Sequence, residues 1–350
     1  MTTADQLSQS LASLELTPLD ESFAHQLVAP RSRTQHETPR WAERAYYLLH
    51  VDEGLTLNAG RQLYAHDGRW WVFAAAATGS VQHNLRAEYP YSAGEDPDAA
   101  SVGPLRMEVI EPLSVIRLVL EESGFPLSYD LTFRARFPAH AHEPTLIERD
   151  GEVVTHSMSF FQSGLFTGVV KLDGREWQIA DRAGFRDRSW GFRKHDGSPG
   201  RGLVVFVSCE TAAEVVHLLL LETASGRRAY TAGWITGPGG VQTLAAADHD
   251  LEFRDGLLAG GRFVLEAADG SERVLSCEVE NRLYLSGVGY SADPAARKPG
   301  MSSFDLLDRD LVGRIDGQND NGARFTLDGE PGHGYVETGL GTHARYKPEG

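Results

Sequence analysis

Residues 183–193, AGFRDRSWGFR, set Arg186, Asp187, Arg188, Trp190 and Arg193 close together. An Asp between two arginines is expected to be held ionised, or to orient a guanidinium through paired hydrogen bonds. Trp190 followed by Gly191 puts a large flat surface beside a point where backbone can approach closely. These residues suit an acid–base or substrate-orienting site; they equally suit an ion-pair hub that fastens a strand.

Two further stretches carry similar chemistry. The blocks DESFAHQLVAP (20–30) and TQHETPRWAERAYYLLH (34–50) hold Glu37, Trp41, Glu43, Arg44, Tyr46 and Tyr47. Strand alternation from Trp41 to His50 puts Glu43, Ala45, Tyr47 and Leu49 on one side. A Glu43 facing inward must be paired or protonated. In HSMSFFQSGLFTG (156–168), His156, Met158, Phe160, Gln162 and Gly164 share one face, where a His and an amide can line a ligand cavity or sit satisfied in the core. The run GHGYVETGLGTHARY (332–346) adds Tyr335 and Glu337 and reads as a closing strand, with Glu337 as a lesser candidate.

Other chemistries lack their signatures. The sequence has no GxxxxGK[ST] phosphate loop, no GxGxxG, no HExxH, no paired-cysteine metal pattern and no GxSxG elbow. Its 13 histidines are scattered, and His140 and His142 read as a solvated loop, so neither a metal nor a cofactor is expected. The 33 Lys and Arg against 49 Asp and Glu give a formal charge of −16, which disfavours nucleic acid and anionic membrane surfaces as partners. Cys209 and Cys277 are too few for a disulfide framework and lie in apolar runs, so buried inert thiols are expected. The first 18 residues lack the basic and continuous apolar regions of a signal peptide, and no apolar run approaches a bilayer span. Cytoplasmic residence and no stable membrane insertion are the expectation; the oligomeric state is left open.

The elements that must position these residues are strands. Asp-Gly recurs at 67, 150, 173, 196, 255, 269, 316 and 328, and Asn-Gly at 321, pairs that suit the primed turns of β-hairpins. Tyr129, Leu131, Phe133, Ala135 and Phe137 alternate with Ser128, Asp130, Thr132, Arg134 and Arg136, giving one apolar and one wet face. Leu203–Ser208 and Val215–Leu221 are continuous apolar runs, read as strands buried on both faces. No helical period separates the strands, so an antiparallel all-β chain is expected, not a doubly wound α/β sheet. Leu7, Leu11 and Leu14 suggest a short N-terminal helix in residues 1–18. A soft midpoint at Phe161–Gly164 divides the rest into 19–164 and 165–350, each long enough for one barrel or sandwich.

The combination resembles the carotenoid 1,2-hydratase-like superfamily of two-domain lipocalin-like proteins. AGFRDRSWGFR looks like its R-D-[HR]-x-W-G signature, and the early blocks follow in similar order over most of residues 20–346. Related folds include tocopherol cyclase and Diels–Alder pericyclases. The resemblance implies two lipocalin-like (calycin) antiparallel β-barrels side by side with a hydrophobic pocket. It also implies that an Asp, here Asp187, protonates a prenyl double bond before water captures the cation. Phe185 and Met158 stand where the hydratases carry Tyr and Trp, so a reaction class is implied, not carotenoid hydration itself.

The expected function is a cofactor-independent enzyme acting on an apolar isoprenoid or polyketide-like small molecule. It would hydrate, isomerise or cyclise a double bond in a pocket near the domain junction. Asp187 is the expected acid–base group, with Glu43 and His156 in reserve. Trp41, Tyr47, Gln162, Trp190, Arg186 and Arg188 are expected to contact substrate, the aromatic faces stabilising a developing cation. The alternative is a carrier that binds a hydrophobic metabolite without chemistry.

Overall fold

The computed structural model describes residues 16–25, 40–51, 54–92, 94–141, 144–149, 152–193, 202–290 and 298–347. The chain is all-β. Its first body is a curled thirteen-stranded antiparallel sheet. This sheet contains β1 (Trp41–Val51), β2 (Leu55–Tyr64), β3 (Arg69–Ala77), β4 (Val81–Pro90), β5 (Ser101–Val102), β6 (Leu105–Glu111) and β7 (Val115–Leu120). It continues with β8 (Leu127–Ala135), β9 (His140–Ala141), β10 (Thr145–Arg149), β11 (Glu152–Leu172) and β12 (Arg175–Arg193). The second body is a closed eight-stranded barrel. Its strands are β13 (Leu203–Thr211), β14 (Val215–Glu222), β15 (Arg228–Gly237), β16 (Gly240–Arg254), β17 (Leu257–Ala267), β18 (Glu272–Tyr284), β20 (Gln318–Leu327) and β21 (Glu330–Leu340). Between β18 and β20 the chain leaves the barrel, and β19 (Gly300–Asp305) pairs with β4 at the edge of the first sheet. One short helix, α1 (Arg309–Ile315), follows, capped by the Asp308 carboxylate on the Asp310 and Leu311 N–H groups. Among the described residues no helix is long and apolar enough to cross a membrane.

The Asp-Gly signals hold at five hairpins: β2–β3, β11–β12, β16–β17, β17–β18 and β20–β21. Asp173 and Gly174 have φ of 51° and 75°, the left-handed pair that a type I′ turn requires. Two signals do something else. Asp316-Gly317 follows α1, and Asn321-Gly322 lies within β20. A Cβ on Gly322 would fall 2.2 Å from the His50 ring, so this glycine permits close approach of barrel and sheet. The pairs at 150 and 196, and the expected helix through Leu14, lie outside the described residues.

Strand alternation builds two cores and a junction. The concave face of the first sheet packs Tyr47, Leu49, Phe133, Phe166 and Trp177 together with Phe23. Alternate residues of β13, Val205, Val207 and Cys209, point into the barrel with Phe263 and Phe325. The opposite faces meet: Leu48, Phe161 and Phe185 of the sheet pack against Phe206, Trp234 and Tyr335 of the barrel. Phe73, Ala75 and Ala77 pack against Leu283, Leu285 and Val288. β13 and β14 therefore read as continuous apolar runs because one face serves the barrel core and the other the junction. Burial pushes both free thiols up, Cys277 to about 12, so they are unreactive at neutral pH.

Candidate active site

β12 lies between β1 and β11, so each of its residues has two cross-strand neighbours and one of two faces. Arg186, Arg188 and Trp190 point to the concave face. Asp187 and Arg193 point to the junction with the barrel.

On the concave face the side chains clamp residues 17–25. Arg186 is fully buried and donates to both Glu21 oxygens at 2.7 and 3.0 Å and to Gln162 Oε1 at 2.7 Å. Gln162 in turn donates to the Leu113 and Phe137 carbonyls. Burial raises the Glu21 carboxyl, but Arg186 and Arg188 outweigh it and hold the group below its usual range. Arg188 donates to the Ser22 carbonyl at 2.7 Å and to the Arg44 carbonyl, and lies 4.1 Å over the Phe23 ring. Glu43 bonds the His25 ring at 2.8 Å and accepts from the Trp41 indole at 3.2 Å. His25 stacks on Trp190 at 3.8 Å. Tyr47 packs edge-on to Phe133. Trp41, Glu43, Tyr47, Gln162, Arg186, Arg188 and Trp190 are thus gathered around an N-terminal segment, away from the junction. His156 is exposed on β11 and lines neither of the two cavities described below. Asp187 and the lesser candidate Glu337 lie at the junction instead.

The junction holds a different constellation. Tyr46 of β1 is the cross-strand partner of Asp187 on the sheet. Asp320 of β20 is the cross-strand partner of Glu337 on the barrel. The two pairs face each other. The Tyr46 hydroxyl donates to Asp320 Oδ2 and accepts from Asn58 Nδ2 at 3.0 Å, and Gln318 donates to Glu337. Asp187 Oδ1 is shut off from solvent and has no hydrogen-bond partner. Burial pushes Asp187 up to about 6, although Arg193, Arg188 and Arg44 pull it down. On a strand the flanking Arg186 and Arg188 project to the opposite face, so burial outweighs the pull of the cations. Burial likewise raises Glu337, with Asp187 adding to the rise. It raises Asp320 further, with Glu337 adding to the rise. Two carboxyls directly opposite each other cannot both ionise cheaply, so the Asp320–Glu337 pair retains a proton as a unit.

A cavity of about 180 Å³ is lined by Arg44 and Arg193, whose charges reach Asp187, although none of the three carboxyls lines it. Trp71, Phe73, Tyr64 and Tyr290 supply its aromatic wall, and Arg44, Arg69, Arg86 and Arg193 its charge. Arg193 joins cavity to cluster, since its charge acts on both Asp187 and Glu337. A smaller cavity nearby is lined by Leu48, Phe185, Glu210 and Tyr335. Among the described residues no group of three His, Cys, Asp or Glu side chains is arranged to hold a metal ion. The chemistry available is proton transfer by buried carboxyls near a space walled by aromatic rings and arginines.

Glu337, Arg44, Tyr46 and Arg193 stand within the stretches singled out from sequence, but Asp320 does not. Its signal was the run Gln318–Asn321, four polar residues within a strand that must be buried, masked by the neighbouring Asn-Gly pair.

The model of a family described as a family of unknown function (DUF8625) matches residues 16–298. No curated protein matches the sequence. Among solved structures, an AttH candidate from Nitrosomonas europaea is 12% identical with a TM-score of 0.56, over 89% of this chain and 99% of that one. Kievitone hydratase from Nectria haematococca is 12% identical with a TM-score of 0.54, over 92% of this chain and 95% of that one. CghA is 14% identical with a TM-score of 0.50, over 87% and 89% of the two chains. At these identities the likeness is one of fold, and that fold is the two-body lipocalin-like architecture.

Proposed function

The chain belongs to that family of unknown function, DUF8625, and from its junction we propose a cofactor-independent acid–base enzyme of small-molecule metabolism. It acts on a double bond of a largely apolar substrate by hydration, isomerisation or cyclisation. The observation that carries this reading is the set of three buried carboxyls, Asp187, Asp320 and Glu337, whose protonated forms burial favours and which Arg193 links to an aromatic-walled cavity. That one of the fold neighbours is a hydratase, by name, is consistent with it.

In this reading the Asp320–Glu337 pair holds the proton to be given to an alkene carbon. Asp187, ionised above pH 6, takes the proton back, from water in a hydration or from the neighbouring carbon in an isomerisation. Tyr290 and Phe73 lend their rings to the cationic intermediate. Glu43, Gln162, Arg186, Arg188, Trp41, Tyr47 and Trp190 act as scaffold, holding β1, β11 and β12 in register. The test is carboxyl-carbon NMR titration together with assays of isoprenoid and polyene alkenes in D2O, read by mass spectrometry. Asp187 should titrate near pH 6, and one proton should stay on the Asp320–Glu337 pair at pH 7. Asp187→Asn and Glu337→Gln should each lower deuterium incorporation roughly a hundredfold or more. Ordinary titration of all three carboxyls, or full turnover by both variants, rules the reading out.

A further inference from the structure

The junction cavity carries more positive charge than its surroundings neutralise. Arg69 is paired with Asp67 at 3.0 Å, and Arg86 lies 4.0 Å over Trp71. Arg44 and Arg193 are different. Arg44 is buried and makes one long contact, 3.4 Å, to the Ala42 carbonyl. Among the described residues no carboxylate lies within 4 Å of either guanidinium. Burial and the charge of Arg44 both make the Arg193 charge harder to keep. Asp187 and Glu337 act on Arg193 only through space, with no ion pair formed.

Arg44 is buried and Arg193 half-buried; cations so placed without bonded counter-ions are costly unless something else supplies the anion. Guanidinium forks are the groups best matched to a planar oxyanion. We infer that the cavity seats the anionic end of its ligand, a carboxylate or an oxyanion of similar size, between Arg44 and Arg193. The apolar remainder lies against Trp71, Phe73 and Tyr290. The inference rests on reading the junction as the reaction site, and it narrows the substrate class to apolar acids. It also assigns the two arginines a positioning role: they hold one end of the substrate while the carboxyl cluster works on the other.

The test measures binding without turnover, so its outcome is separate from that of the acid–base reading. Calorimetric titration compares 1-naphthoate with 1-naphthalenemethanol, probes of one shape that differ in charge. The wild-type protein should bind the carboxylate at least about tenfold more tightly. Arg44→Met and Arg193→Met should each erase most of that preference and leave the alcohol unaffected. These variants remove unpaired charge, so they should fold at least as well as wild type. Should either fail to fold, Arg44→Lys and Arg193→Lys serve instead, and naphthoate affinity should fall while alcohol affinity stays. The inference is overturned by absence of naphthoate binding at millimolar concentration, by equal affinity for the two probes, or by a preference that survives substitution at both arginines.

Discussion

Asp187 shows how one residue's chemistry is set by which face of a strand it occupies. Its chain neighbours are cations, but its spatial neighbours are Tyr46, Phe161 and a second body of the protein. Its ordinary carboxyl value is 3.8 and its value in the fold about 6. Between those values the folded state binds more proton than the unfolded one, so this group's contribution to stability is full at acid pH. It is lost as pH rises through 6. Asp187→Asn has no such proton to lose. Its melting temperature relative to wild type should therefore climb between pH 4 and 6 and level off above; an offset independent of pH would show an unshifted carboxyl. The motif around Asp187 was visible in the sequence, and so was the period-two rule. The rest of the cluster was not, because Glu337 and Asp320 come from strands more than a hundred residues away, and nothing local to Asp187 announces them.

Elements were more legible than contacts. Local alternation and turn chemistry specify β8, and five of the Asp-Gly pairs sit in the hairpins they suit, because both signals are written within a few residues. The strand beginning at Trp41 also faces as expected, with Glu43 inward and paired. Alternation cannot say which concave residues meet a ligand and which meet the protein's own N-terminal segment. Here residues 17–25 fill that space, and Glu21 is their anchor. Replacing it with Gln leaves Arg186, fully buried, without its counter-charge. Glu21→Gln should cost about 3–5 kcal/mol in urea denaturation, and restoring the carboxylate as Asp should recover part of it. A loss well under 1 kcal/mol, the range of exposed pairs, would mean that the clamp does not hold the segment.

At the scale of the whole molecule, the candidate site belongs to neither body alone. Tyr46 and Asp187 come from the sheet, Asp320 and Glu337 from the barrel, and the dryness that shifts them from the apolar contact between the two. Phe161 sits in that contact, 5.8 Å from Trp234 and 4.5 Å from Phe206. Phe161→Ala should cost about 3–5 kcal/mol and move the Asp187 titration back toward the ordinary value by admitting water. Lost stability with an unmoved titration would show that the junction does not control the carboxyls. The excursion of β19 bears on the order of synthesis. On the ribosome, β4 stays an open edge until Gly300–Asp305 emerges, by which time β13–β18 have already been made. The barrel in turn waits for β20 and β21. A nascent chain halted between residues 203 and 305 therefore carries unpaired edges on both bodies at once, the condition that favours intermolecular strand pairing. Translation that stalls in this window yields a seed for aggregation instead of a smaller working sheet.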